Sequence, residues 1–323
     1  MAVLIQSSGD FQKLVGLYEN PLLEYYENTF TDSIRDSMIP EFYSQETSDN
    51  PTEAIAEMVG AVDYTKWNGE FTYSTMKEGN SKVWVPVVWQ GGREYDRFLL
   101  SNAKLINLKD DFSGFAIGAA RHREACASGL FTFANLTSFT VGGTPLNWTL
   151  GSNSLPLASD AQTSANYGTT QDNLEKLSLN DESLEILCQK MFDVKDENGN
   201  SANLQPDTLV VTTADRKKGL ELIGGVGKVD SSDNNPNIYN GSMKLIVYKE
   251  FRKQTGKTGN PWFVMDSKMA KKTTKWINRL ESGDMYDMIS WKNEETQTWK
   301  VGSIMWYSCG SFSWRPYQFS IPD

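Results

Sequence analysis

Apolar residues recur at helical spacing in some stretches of the chain and at alternate positions in others. Over residues 9–36, Leu14, Leu17, Leu22, Leu23, Tyr26 and Phe30 make a broken helical stripe. Pro21 interrupts it, which predicts two short helices or a kinked arm. Residues 40–56, with Pro40 and Pro51 among polar neighbours, read as loop. The cleanest helix lies over 111–135. Phe115, Ala119, His122, Cys126, Leu130 and Phe133 share one face, and Asp110 or Asp111 can cap the start. Arg121, Arg123 and Glu124 are expected to face elsewhere, and Gly114 and Gly118 thin the other side. A further helix is expected over Asn180–Phe192, with Leu184, Leu187, Cys188 and Met191 on one face.

The extended segments are as distinct. GEFTYSTM and SKVWVPVVW, separated by the turn-like KEGN, predict a long hairpin over 62–98 with Trp67, Trp84 and Trp89 in or beside it. Shortening it between Met76 and Val88 is expected to spare the core. Gln205–Gly225 reads as a short apolar strand at Thr208–Val211 and a helix that opens near Thr213 and closes on Gly224–Gly225. MKLIVYKE, NPWFVMD and WKVGSIMWYSCGSFSWRPYQFSI add short aromatic strands toward the C-terminus. Residues 266–282 fit either pattern: Met269, Thr273, Trp276 and Leu280 have helical spacing, yet TTKWINRLE also alternates. Residues 136–175 and 229–240 are polar and poorly patterned, as surface loops are.

Composition narrows the functional classes. The chain has 323 residues, 39% apolar and 12% aromatic, enough for a substantial core. Acids outnumber bases 41 to 31, so the surface as a whole does not seek nucleic acid, though it can face DNA without adhering. Cys126, Cys188 and Cys309 are scattered and odd in number, as in a reducing environment. MAVLIQSSGDF lacks a basic leader segment, and no apolar run approaches membrane length, so neither export nor a membrane partner is expected.

The chemical motifs fail on their own requirements. Gly256-Lys257-Thr258 ends like a phosphate loop, but Phe251 stands where that loop needs glycine, so a turn is preferred. In DENGNSAN, aligning Gly199 as the calcium-loop glycine puts Val194 and Gln205 at two ligand positions, so a structural loop is preferred. GGVG at 224–227 lacks the dinucleotide spacing. His122 is the single histidine, on an apolar helix face, and a packed core role is the default even with Cys126 one turn on. Lys268, Lys271, Lys272 and Lys275 read as a solvated face. No catalytic set, metal site or cofactor is assigned.

The order of these elements, from about residue 62 to 320, resembles the major capsid proteins of tailed phages with the HK97-type shell fold, especially the Mu-like major head subunit group. KWNGEFTYSTMKEGNSKVWVPVVWQGG resembles that family's extended hairpin, the E-loop. DDFSGFAIGAARHREACASGLFTFAN resembles the spine helix of its P domain, and ANLQPDTLVVTTADRKKGLELIGG the first strand and helix of its A domain.

The resemblance implies an α+β HK97-like capsid fold. It would comprise an N-terminal arm at 1–61, the E-loop hairpin at 62–98, a P domain at 99–180, an A domain at 181–290 and a C-terminal β-hairpin at 291–323. It also implies residues 266–282 mostly extended, and Trp67, Trp84 and Trp89 at subunit interfaces. The implied function is self-assembly into hexamers and pentamers of an icosahedral shell around double-stranded DNA, bound without sequence specificity. Portal, scaffolding and decoration or cement proteins are the other implied partners, and the implied location is the virion after synthesis in the host cytoplasm. No long charged N-terminal scaffold segment and no crosslinking set of Lys, Asn and Glu can be identified. The alternatives are an encapsulin-type cargo shell and a β-rich carbohydrate-active enzyme using paired acids and Trp stacking.

Overall fold

The structure is a computed structural model. It describes residues 8–59, 64–71, 73, 77–102, 105–151, 153–163, 168–224, 237, 239–279 and 285–323. The chain opens with α1 (Ser8–Arg35), α2 (Ile39–Phe42), β1 (Ser44–Thr47), β2 (Glu53–Val59), β3 (Lys77–Trp84) and β4 (Val87–Asp96). Then come α3 (Arg97–Asn102), α4 (Leu105–Thr132), β5 (Ser138–Val141), β6 (Thr144–Asn147), β7 (Leu174–Glu175) and α5 (Asp181–Asp193). The remainder is β8 (Thr208–Val211), α6 (Arg216–Gly224), β9 (Lys244–Val247), β10 (Trp262–Met265), α7 (Ser267–Thr273), β11 (Thr274–Asn278), β12 (Asp287–Asn293), β13 (Thr298–Ser311) and β14 (Tyr317–Ser320).

Two five-stranded sheets hold the chain together. In the first, β13 pairs antiparallel with β12 over Thr298–Ile304, with β11 over Tyr307–Ser311 and with β4 over Thr298–Tyr307. Alternate β13 side chains, Trp299, Val301, Ser303, Met305, Tyr307 and Cys309, point into the core, as period-two geometry requires. The second sheet runs β7-β14-β10-β8-β9. Its central strands TLVV, WFVM and YQFS are buried on both faces, which explains why they read as short unbroken runs.

α1 is one helix through Pro21, not two. Pro21 lies on the exposed side, while Phe11, Val15, Leu22, Tyr26 and Phe30 are buried where α1 packs along α4. Tertiary burial outweighs the missing backbone hydrogen bond. The Tyr26 hydroxyl donates to Ser303 Oγ at 3.0 Å, fixing α1 to β13. Leu17, counted in the expected stripe, is 66% exposed.

The outer hairpin pairs differently from its sequence reading. KEGN is not a turn: it lies inside β3, and β3 pairs antiparallel with β2, from Glu53↔Trp84 to Val59↔Lys77. The outgoing strand is therefore residues 53–59, which had been read largely as loop. Val87–Asp96 leaves the hairpin and joins β13 in the first sheet. Shortening the chain between Met76 and Val88 would thus cut into core structure.

The C-terminal stretch also departs from a hairpin, since β13 and β14 belong to different sheets. Residues 267–273 are helical and 274–278 extended, so each pattern in that ambiguous segment governs one half. Asp266 makes the switch by capping α7, accepting from Lys268 N at 3.1 Å and Met269 N at 3.0 Å. The helix and strand expected at 180–192 and 208–211 stand as read. Asn180 accepts from Ser183 N at 2.7 Å as the α5 cap. Much of GGVG and of the 229–240 loop lies outside the described residues.

Candidate functional site

The centre where α4 meets the first sheet holds the single histidine. His122 Nδ1 lies 2.8 Å from the Tyr307 hydroxyl, and Trp89 packs on the ring at 4.4 Å between centroids. Burial pushes the His122 pKa down, favouring the neutral ring. Cys126 Sγ is 4.0 Å from Nδ1, but burial raises its thiol to about 12, so no thiolate is present for nucleophilic attack. Arg123, expected to face outward, is 2% exposed; its guanidinium stacks over Trp276 at 5.0 Å and Tyr307 at 5.4 Å. A single packed face does not describe α4, whose C-terminal half is enclosed nearly all round. This centre is a packed aromatic core.

The other motif segments are structural. Lys257 and Thr258 both bond the C-terminal residue Asp323, at 2.5 Å from Lys257 Nζ to Oδ1. Those lysine contacts, from Lys257 and Lys176, hold the Asp323 carboxyl down at about 2. In DENGNSAN, Asp196 Oδ1 accepts from Asn198 N at 2.8 Å and Asn200 N at 2.9 Å, closing a turn on itself. Glu197 is buried against Arg315 at 2.5 Å. Among the described residues no group of three or more His, Cys, Asp or Glu side chains could hold a metal ion, and no helix is long and apolar enough to cross a membrane.

The three tryptophans expected at interfaces part company. Trp84 is 1% exposed and packs with Ile277 and Phe312. Trp89 is 8% exposed in the His122 cluster. Both are spent on packing within the chain, so neither has surface left for a neighbour. Trp67 is 63% exposed, and Tyr64, Phe71 and Tyr73 beside it are 99, 74 and 89% exposed. Trp67 and Phe71 touch edge to face at 5.2 Å. These exposed aromatics lie between β2 and β3 in the chain. A second exposed apolar run, Phe98, Leu99, Leu105 and Ile106, lies on α3 and the start of α4.

One residue the sequence reading passed over is Lys82 on β3. Its Nζ is buried over the Trp84 ring, 5.7 Å from the centroid, with no hydrogen-bond partner, and burial depresses the ammonium to about 8. The strand alternation Lys82-Val83-Trp84 was the available signal, because it puts the lysine on the same face as a buried tryptophan.

No protein-family model matches the chain, and no curated protein matches it. Solved structures do. A chain of Mycobacterium phage Patience aligns with a TM-score of 0.55 at 9% identity, covering 99% of this chain and 90% of that one. The capsid of Cyanophage P-SCSP1u aligns at 0.53 and 8% identity, covering 88% of each chain. The capsid of Myoviridae Phage XM1 aligns at 0.52 and 11% identity, covering 89% of this chain and 92% of that one. At such identity the likeness is one of fold, and the chain shares its α+β fold with these phage structures, two of them capsids.

Proposed function

We propose that the chain is a major capsid protein, a subunit that assembles as hexamers and pentamers into an icosahedral shell enclosing double-stranded DNA. The observation that carries this reading is the aromatic segment around Trp67. A cluster of exposed aromatic side chains is costly in a free monomer and is explained when a neighbouring copy covers it. The capsid-subunit fold supports the same reading. Residues 62–98 form the region of the reaching hairpin and its return, with β2 supplying the outgoing strand, and residues 99–180 and 181–290 correspond to the P and A domains. Trp67, Tyr64, Phe71 and Tyr73 are the interface residues of that hairpin. Portal, scaffolding and decoration proteins are the expected further partners, and the virion the expected location. An acidic chain, at −10, lines a DNA container without holding the DNA to its wall.

Little supports the carbohydrate-active alternative: Trp84, Trp148, Trp262, Trp276, Trp299 and Trp314 are fully buried, which leaves Trp67 and Trp291, 63 and 52% exposed, as the indoles open to a ligand. The thiols are held protonated, and the histidine is locked by Trp89 and Tyr307. Sedimentation velocity of natively produced protein tests the proposal. Capsomer rings or closed particles are expected, whereas a compact monomer persisting at high concentration would overturn it.

A further inference from the structure

Where β3 crosses the first sheet, a cavity of about 260 Å³ opens beside Lys82, Trp84, Trp89 and Trp148. Lys82 is 6% exposed, and Trp84, Trp89 and Trp148 are 1, 8 and 1% exposed. The Nζ of Lys82 and the Nε1 atoms of all three indoles have no hydrogen-bond partner. Every one of these groups is a donor and none is an acceptor. Among the described residues lining the cavity there is no Asp or Glu. Two of the donors converge: a Cβ added to Gly310 would lie 2.6 Å from Lys82 Nζ and 3.3 Å from Trp84 Nε1. Glycine at 310 leaves the room the ammonium occupies. The backbone of Gly151 (φ +103°) closes against Ser81, where a Cβ would fall 2.0 Å from the carbonyl oxygen, so the loop that carries Trp148 is pressed onto β3. Val83 and Val85, which also line the cavity, are 58 and 59% exposed and mark its mouth.

We infer that this cavity is a carboxylate-binding site. A buried ammonium that has the Trp84 ring face 5.7 Å away but no hydrogen-bond acceptor is unfavourable, and the convergence of Lys82 Nζ with Trp84 Nε1 describes the complement of an anionic acceptor. The apolar walls suit a short aliphatic stem behind the charge, and the volume exceeds what a single water needs. A carboxylate would take the ammonium in a charge-assisted hydrogen bond and leave its second oxygen for an indole N–H. Two sources carry this chemistry: an acidic side chain of a second copy of the chain, or a free small carboxylate. The first rests on the shell reading; the site itself does not.

Propionate, with sodium chloride at matched ionic strength as control, is the probe. The full-length subunit is kept dilute and unassembled, and thermal unfolding is followed for the wild type and for Lys82→Met. Propionate should raise the wild-type melting temperature by about 2 °C or more beyond any shift of Lys82→Met, with chloride giving no such difference. Equal responses of the two proteins to propionate would mean a cavity holding only water and would overturn the site. Lys82→Met removes a charge without a hydrogen-bond acceptor and replaces it with an apolar side chain of similar length, so it should fold. The wild-type titration against chloride decides the matter even where it does not. Reductive methylation read by mass spectrometry then assigns the source. Roughly tenfold protection of Lys82 in assembled particles relative to free subunits identifies a neighbour's side chain, and equal labelling identifies a free carboxylate. Failure to assemble would count against the shell reading and leave the propionate result standing.

Discussion

Glu197 and Arg315 form the most deeply buried ion pair described here, at 2.5 Å with side chains 0 and 7% exposed. Arg315 Nε also donates to the Lys195 carbonyl at 3.1 Å, so the pair ties the 195–201 turn to the approach of β14. Removing one partner leaves the other charge buried, and Glu197→Ala is expected to lower unfolding free energy by roughly 3–5 kcal/mol in urea denaturation. Lys82 behaves in the opposite sense. Its folded pKa of about 8 lies below the ordinary 10.5, so the unfolded chain binds more protons between those values and stability rises with pH across that window. The destabilisation is complete below about pH 8. Tyr307, Cys126 and Cys309 share the cavity, and burial holds all three protonated over that range. In carboxylate-free buffer Lys82→Met should therefore be more stable than the wild type at pH 7, by on the order of a few kcal/mol. That advantage should shrink toward zero as pH approaches 10.5. A constant difference between the two denaturation curves across pH would contradict the depressed pKa.

The β2–β3 hairpin divides into a packed root and a free tip. Trp84 and Ile55 pack at the root with Ile277 and Phe312, while Tyr64, Trp67, Phe71 and Tyr73, between the two strands, are exposed. Replacing residues 61–75 with a short Asn-Gly turn keeps the Val59↔Lys77 pairing and should leave the melting temperature within a few degrees while abolishing assembly. Loss of folding would show that the tip belongs to the core. Cutting between Met76 and Val88 should instead unfold the chain, because it removes Trp84 and the first β4 pairs. Local chemistry explains which elements were legible in advance. α5 carries its own cap in Asn180 and its own apolar face, and β8 is apolar on both sides, so nothing distant was needed to read them. KEGN has turn composition, and only pairing with residues 53–59 makes it strand, a long-range choice that short-range propensity does not record. Pro21 sits within a helix because α4 covers the opposite face. Lys82 is not legible as a buried lysine from its neighbours in sequence, since Gly310 and Gly151, which close on it and on Ser81, are far away in the chain.

The proposed shell role calls for several neighbours bound through broad, partly apolar contacts, and among the described residues the exposed aromatics around Trp67 and the apolar run from Phe98 to Ile106 are available for them. Cohesion should be noncovalent, because Cys126, Cys188 and Cys309 are all buried free thiols. Particles boiled in detergent without reductant should run as one band near 36.3 kDa. A ladder of oligomers would show covalent links, and its loss on reduction would trace them to a thiol. On the proposed shell reading, the two sheets and the α1–α4 helix pair form the body of the subunit, and the exposed aromatics around Trp67 need a neighbour. Negative-stain electron microscopy of the purified native protein tests that claim most directly. Hollow, closed particles of uniform diameter with capsomers visible on their surface are expected. A field of single, compact 36.3 kDa molecules at concentrations well above those of expression would contradict it.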